Sequence, residues 1–218
     1  LGDFVHLQAE PYGASCGFDL RFSEACVEAF EARGFARDLC SYLKNHLGSL
    51  YLDRYLFGGS FPRPDFVLTG HICDTHAKWA QLIAEHFNVP CFIFDGAVGP
   101  EGPRGEERQI AYLAGQFHDA IEWLERVSGR TFDDERFRQA FENIARCASL
   151  WAECCSLNRA VPAPLDQKSM FSFYAIPLLM AHRPEAVAFL KELRDETRQR
   201  VEQGIAALAT ERCRLFHD

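Results

Sequence analysis

The chain has 218 residues and a net charge of −8 at neutral pH. That length can bury a proper core in one large domain or two small ones. The acidic balance excludes a general nucleic-acid binder, whose phosphate contacts need a positive surface.

No apolar run approaches the roughly 20 residues that span a bilayer. No basic-then-apolar leader opens the chain either, so a cytoplasmic protein without membrane contact is expected. It begins at Leu1 rather than at methionine, which suggests a fragment.

In chain order, Phe22 to Arg33 and Ala36 to Leu47 read as helices, closed by Gly34 and Gly48. Asp65 to Thr69 and Cys91 to Phe94 are short runs of strand formers. Between them, Trp79, Leu82, Ile83 and Phe87 recur at helical spacing over Thr75 to Phe87. Strand, helix and strand with short joints predict a βαβ unit with a parallel sheet, hence an α/β region over about residues 1–100. Next comes GAVGPEGPRGEE, with glycines at 96, 99, 102 and 105. It lacks the G-x-G-x-x-G of a dinucleotide site and reads as a surface loop.

Residues 101–204 are expected to be helical. Ile110, Leu113, Phe117, Ile121 and Leu124 form one stripe; Phe137, Phe141, Ile144, Ala148 and Trp151 form another that steps by four and three. Cys155 continues the second stripe, which makes it a core residue and points adjacent Cys154 elsewhere. Two more helices are expected, Gln167 to Met180 and Pro184 to about Gln203, with Pro184 in a first turn and Gly204 as the stop. From 205 to 218 the chain turns apolar again at Leu215 and Phe216, as at the start of a further strand.

Nine cysteines, an odd number without regular spacing, do not make a disulfide framework. Cys26, Cys91 and Cys147 fall on apolar faces and are expected in the core. The densest chemistry is HICDTHAKW at residues 71–79. Its H-x-C-x-x-H spacing is not a recurring zinc pattern. Three readings stay open: a small buried thiol with Asp74 or Thr75 capping the next helix, a structural zinc site, or another cysteine-ligated centre. Position adds weight, because ligands gather at the carboxyl ends of parallel strands, where Cys73 and Asp95 lie. Cys40, placed within a helix, would need a metal or a cation to sit as a thiolate.

Taken together, Cys40-Ser-Tyr-Leu-Lys-Asn-His-Leu-Gly48, Pro64-Asp-Phe66, Ile72-Cys-Asp-Thr75, Lys78-Trp79, Val89-Pro90 and Phe94-Asp95 resemble the 2-hydroxyacyl-CoA dehydratase and benzoyl-CoA reductase family. Gly129 to Asp133, Pro162 to Leu165 and Phe189 to Gly204 extend the resemblance over nearly the whole chain. It implies two Rossmann-like lobes with a helical segment, and a 4Fe–4S cluster held by three cysteines with one iron left open. Cys40 and Cys73 match two of those ligand positions. The third is implied on a second lobe outside this chain, since Cys213 comes too early, and this piece alone is expected to be inactive.

The implied chemistry removes water from a 2-hydroxyacyl-CoA through a ketyl radical, or, in the benzoyl-CoA branch, leaves electrons in the ring. The implied partners are a homologous second subunit, a separate ATP-hydrolysing iron–sulfur activator and a CoA-thioester substrate. The chain has no P-loop of its own, consistent with ATP being handled elsewhere. Around the cluster, His71 departs from the family pattern and is left between a hydrogen bond to cluster or substrate and plain solvation, with His76 beside it in the same position. Asp74 and Lys78 read as capping and surface groups. Cys16 is either an additional ligand or a loop thiol. A non-catalytic cluster- or zinc-binding fragment is the alternative outside enzymology.

Overall fold

The computed structural model describes residues 4–96 and 103–214. Its contacts divide the chain into two compact units, Leu1–Thr131 and Phe132–Asp218. The fold is mostly helical, with one small parallel sheet.

The first unit opens with α1 (Ala9–Ser15), a short 3-10 turn (Cys16–Phe18) and α2 (Leu20–Glu31). Asp19 caps α2 by accepting from the Phe22 N–H, and Gly34, at φ 88°, turns the chain away after it. Helix α3 (Ser41–Tyr51) begins five residues later than the periodicity suggests, after a turn, so Cys40 is its N-cap and not an interior residue. Lys44 explains the late start. Its Nζ is tucked in to donate to Glu31 and to the Arg37 carbonyl, which holds that turn out of helix.

Gly48 does not stop α3; it lies inside it. A Cβ there would sit 1.9 Å from the Cys26 carbonyl oxygen, so the missing side chain lets α2 and α3 touch backbone to backbone. The same device recurs at Gly13 of α1, whose Cβ would meet the Tyr42 oxygen at 2.3 Å.

The expected βαβ unit is present as β1 (Val67–Gly70), α4 (Asp74–Phe87) and β2 (Cys91–Phe94). The two strands pair in parallel, from Val67 with Cys91 to Gly70 with Phe94. They are the whole sheet among the described residues. Asn88, in the left-handed conformation, ends α4. Of the surface loop expected over residues 96–107, residues 97–102 lie outside the described residues, and the remainder from Pro103 onward is not loop but the start of a helix. Helix α5 (Pro103–Ser128) follows and packs Phe117 on Phe94 and Trp123 on Phe92 and Phe66. The core of this unit joins Tyr12, Cys16, Phe22, Cys26, Phe30, Leu47, Phe61 and Trp79.

The second unit consists of α6 (Asp134–Leu157), α7 (Gln167–Leu179) and α8 (Pro184–Glu202). Pro184 opens α8 and Gly204, at φ 67°, follows it, as expected. The buried face of α6 is not the expected stripe. Phe137, Phe141 and Ile144 are exposed, while Cys147 and Cys154 are fully buried against Ala186, Leu190 and Leu193 of α8. The order of the vicinal pair is therefore reversed: Cys154 is core and Cys155 is half-buried. A one-residue error in phase rotates a helix face by about 100°, and α6 is apolar enough on two faces to permit it. The strand expected at 215–216 lies outside the described residues.

Candidate functional site

The two cysteines singled out by sequence are both exposed, and both occupy the N-cap position of a helix: Cys40 for α3 and Cys73 for α4. Neither uses its side chain to cap. Their sulfurs are therefore free of the task that Ser, Thr or Asp performs at that position, and each stands where backbone N–H groups favour negative charge. By contrast, Cys16 is fully buried beside Tyr12, and burial raises its thiol above the usual range. Cys26, the other cysteine of that core, is pushed up to about 12 by burial. Cys91 is half-buried and Cys213 exposed.

Two contacts tie the capped helix starts to α1. Gly13 lies against the Tyr42 backbone, two residues after Cys40, and Glu10 Oε2 reaches His76 Nε2 at 3.5 Å, three residues after Cys73. Glu10 and Gly13 are about one helical turn apart. Deeper in, Trp79 donates its indole N–H to His46 Nδ1 at 2.7 Å, joining α4 to α3.

Around Cys73 the structure assembles two polar groupings. In the first, His76 Nδ1 lies 3.0 Å from Cys73 Sγ. The ring is largely buried, stacks on Trp79 with centroids 6.0 Å apart, and has Glu10 on its far nitrogen. In the second, at the carboxyl ends of β1 and β2, His71 Nδ1 donates to Asp95 Oδ1 at 3.1 Å, and His71 Nε2 is 3.5 Å from Asp74. Tyr112 donates to the other Asp95 oxygen at 3.0 Å, and Gln116 brackets the Asp95 peptide by accepting from its N–H and donating to its carbonyl. The hydrogen bond from His71, and then that from Tyr112, holds the Asp95 carboxyl below the usual carboxylate range.

The sequence places His71 and His76 together beside Cys73, yet only His76 touches the sulfur. Sequence reasoning misses Glu10, Tyr112 and Gln116, which reach the site from helices distant along the chain. Asp74 opens the first turn of α4 and is fully exposed; Lys78 donates to Gln81 and is also at the surface.

Comparison with known proteins assigns the chain to a family. Residues 8–218 match the family described as 2-hydroxyglutaryl-CoA dehydratase, D-component. The chain belongs to that family. It is 29% identical over 178 residues to the (R)-phenyllactyl-CoA dehydratase alpha subunit of Clostridium sporogenes, covering 81% of this chain and 43% of the relative. It is 29% identical over 187 residues to the (R)-2-hydroxyisocaproyl-CoA dehydratase alpha subunit of Clostridioides difficile, covering 83% and 44%. A benzoyl-CoA reductase subunit from Thauera aromatica is 26% identical over 187 residues, covering 83% and 43%. The chain thus spans less than half the length of these family members.

The residues suit an iron–sulfur cluster in part. Cys40 and Cys73 offer two accessible soft sulfur donors, the ligand type that such clusters take. Among the described residues, no group of three or more His, Cys, Asp and Glu is gathered as a metal site.

Proposed function

We propose that this chain is part of the alpha-type subunit of an ATP-activated, 4Fe–4S-dependent 2-hydroxyacyl-CoA dehydratase. The observation that carries the reading is the pair of exposed cysteines at the starts of α3 and α4, in a chain of this family. Cys40 and Cys73 would hold the cluster, with a third cysteine from a second Rossmann-like lobe. Such a cluster would supply low-potential one-electron chemistry at a thioester, the kind that eases loss of a poor hydroxyl leaving group and of an otherwise inert C–H proton.

The chain's own residues then have the following work. The N-termini of α3 and α4 present backbone donors that favour anionic sulfur. Trp79 and His46 fix one helix against the other, and Asp95, bracketed by Gln116 and Tyr112, fixes His71 at the mouth of the sheet. In this organisation residues 1–100 form the cluster-bearing lobe, 101–204 the helical segment, and 205–218 the lead into the second lobe. The partners are a homologous subunit, a separate ATP-hydrolysing iron–sulfur activator and a CoA thioester, all in the cytoplasm. Cys16, buried as it stands, joins the site only if the first turn opens.

A second reading, as part of a reductase acting on benzoyl-CoA, has the likeness to the Thauera aromatica protein in its favour. Product analysis with activator, ATP and a panel of CoA thioesters tests both. An enoyl-CoA from a 2-hydroxyacyl-CoA supports the dehydratase, and a ring-reduced product supports the reductase. No turnover of either class, together with a bound zinc, sinks both in favour of a structural metal module.

A further inference from the structure

We infer that His76 is a positioning residue for Cys73: it donates a hydrogen bond from Nδ1 to the sulfur when that sulfur ligates a cluster, with Glu10 and Trp79 holding the ring in place. The inference rests on the proposed function, because it concerns a cluster-bound Cys73.

Three observations converge on His76. Its Nδ1 is 3.0 Å from Cys73 Sγ, well inside hydrogen-bond reach for sulfur. Its ring is not a loose surface group, since the side chain is only 14% exposed and stacks on Trp79 at an interplanar angle of 23°. Its far nitrogen lies 3.5 Å from the Glu10 carboxylate on a different helix, so a ring that carries a proton on both nitrogens is held between Cys73 and Glu10.

The placement also follows from helix geometry. Cys73 is the N-cap, so His76 is the third residue of the first turn of α4. That is the position whose side chain reaches back to the cap in a capping box. Here the cap supplies a sulfur acceptor, and the reaching residue supplies an N–H. A sulfur bound to iron has no proton of its own to give, so the ring nitrogen must be the donor. Trp79, one turn on, is fixed by its own bond to His46, and thus the rigid core of the unit is connected to the sulfur through a stacked ring.

A hydrogen bond to a ligand sulfur withdraws electron density and favours the reduced cluster. His76 therefore raises the potential of the centre relative to a chain that lacks it. His71, although nearer in sequence, is committed to Asp95 and does not serve this purpose.

The test uses the complete protein with its partner subunit, loaded anaerobically with iron and sulfide and poised at a fixed potential. The reduced fraction is read by electron paramagnetic resonance. His76→Ala is expected to lower the reduced-to-oxidised ratio roughly fivefold, the size of one ordinary hydrogen bond, or about 40 mV for a one-electron couple. His76→Gln, which keeps an N–H donor, is expected to recover most of the loss. Glu10→Gln, which leaves the ring in place for the case in which His76→Ala fails to load, is expected to give a smaller fall of about twofold. His86→Ala removes an imidazole from the far end of the same helix and should leave the ratio unchanged. A loaded cluster whose ratio is insensitive to His76→Ala, or to Glu10→Gln where only that variant loads, overturns the inference alone. A wild-type protein that takes up no iron and sulfide overturns it together with the proposed function.

Discussion

Trp79 and His46 meet across the first unit in a hydrogen bond of 2.7 Å, and each lies six residues beyond an exposed, helix-capping cysteine. Trp79 follows Cys73 along α4, and His46 follows Cys40 along α3. Six residues are about 9 Å of helix. Because α1 also touches both helix starts, the pair works as a clamp that sets the two helices in a fixed relation. A core tryptophan and a core histidine thus tie together the two helices that the exposed cysteines cap.

The clamp makes the fold sensitive to acid. His46 is almost wholly buried, and burial pushes its imidazole down to about 3. In the unfolded chain an ordinary histidine titrates near 6.5. Above that pH both states hold a neutral ring, and the stabilisation is complete. As pH falls from about 6.5 towards 3, only the unfolded state takes up the proton, so stability drops by up to about 1.4 kcal/mol per pH unit. Urea titrations at stepped pH should show that loss in the wild type and a shallower one in His46→Gln, which cannot titrate. Parallel slopes for the two proteins would remove His46 as the cause.

Backbone contact between α2 and α3 makes Gly48 intolerant of even one methyl. Elsewhere in a helix, Gly→Ala gains up to about 1 kcal/mol from propensity. At Gly48 the new carbon would fall 1.9 Å from a carbonyl oxygen, and the helices must part. Gly48→Ala is expected to destabilise by about 2 kcal/mol or more. Gly115→Ala on α5, where nothing lies within 4 Å, is expected to be neutral or slightly stabilising. Thermal melts of the two variants decide this; similar melting temperatures would contradict it.

Thiol labelling of the native, metal-free chain should sort the nine cysteines by burial. Cys40, Cys73 and Cys213 are exposed and should react first, with Cys91 and Cys155 slower. Cys16, Cys26, Cys147 and Cys154 should be protected until denaturant is added. Burial also pushes Cys154 up to about 11, which removes its thiolate at neutral pH. Peptide mapping that finds Cys154 labelled before Cys155 would contradict the observed phase of α6.

That phase is the part of the fold least legible in the sequence. Phe137, Phe141 and Ile144 match a helical period as well as the true buried face does, and periodicity alone does not say which of two apolar stripes finds a partner. The βαβ unit is legible because its strand formers are bounded by a proline before β1 and by Gly70, Asn88 and Pro90 at the joints. Cys40 and Cys73 are legible by type and by resemblance, but their shared position as helix caps is not. For Cys40 it depends on Lys44 folding back onto Glu31, a contact between helices that no local pattern encodes. Glu10, Tyr112 and Gln116 are hidden for the same reason. Each is an ordinary polar residue on its own helix and acquires meaning only from what lies opposite.

The most direct test of the account is metal and sulfide analysis of anaerobically purified protein, with and without the capping sulfurs. The expected result is about four iron and four acid-labile sulfide per site, lost together in Cys73→Ala and in Cys40→Ala and retained in Cys213→Ala. One zinc per chain with no sulfide, or an iron–sulfur content indifferent to Cys40 and Cys73, would contradict it.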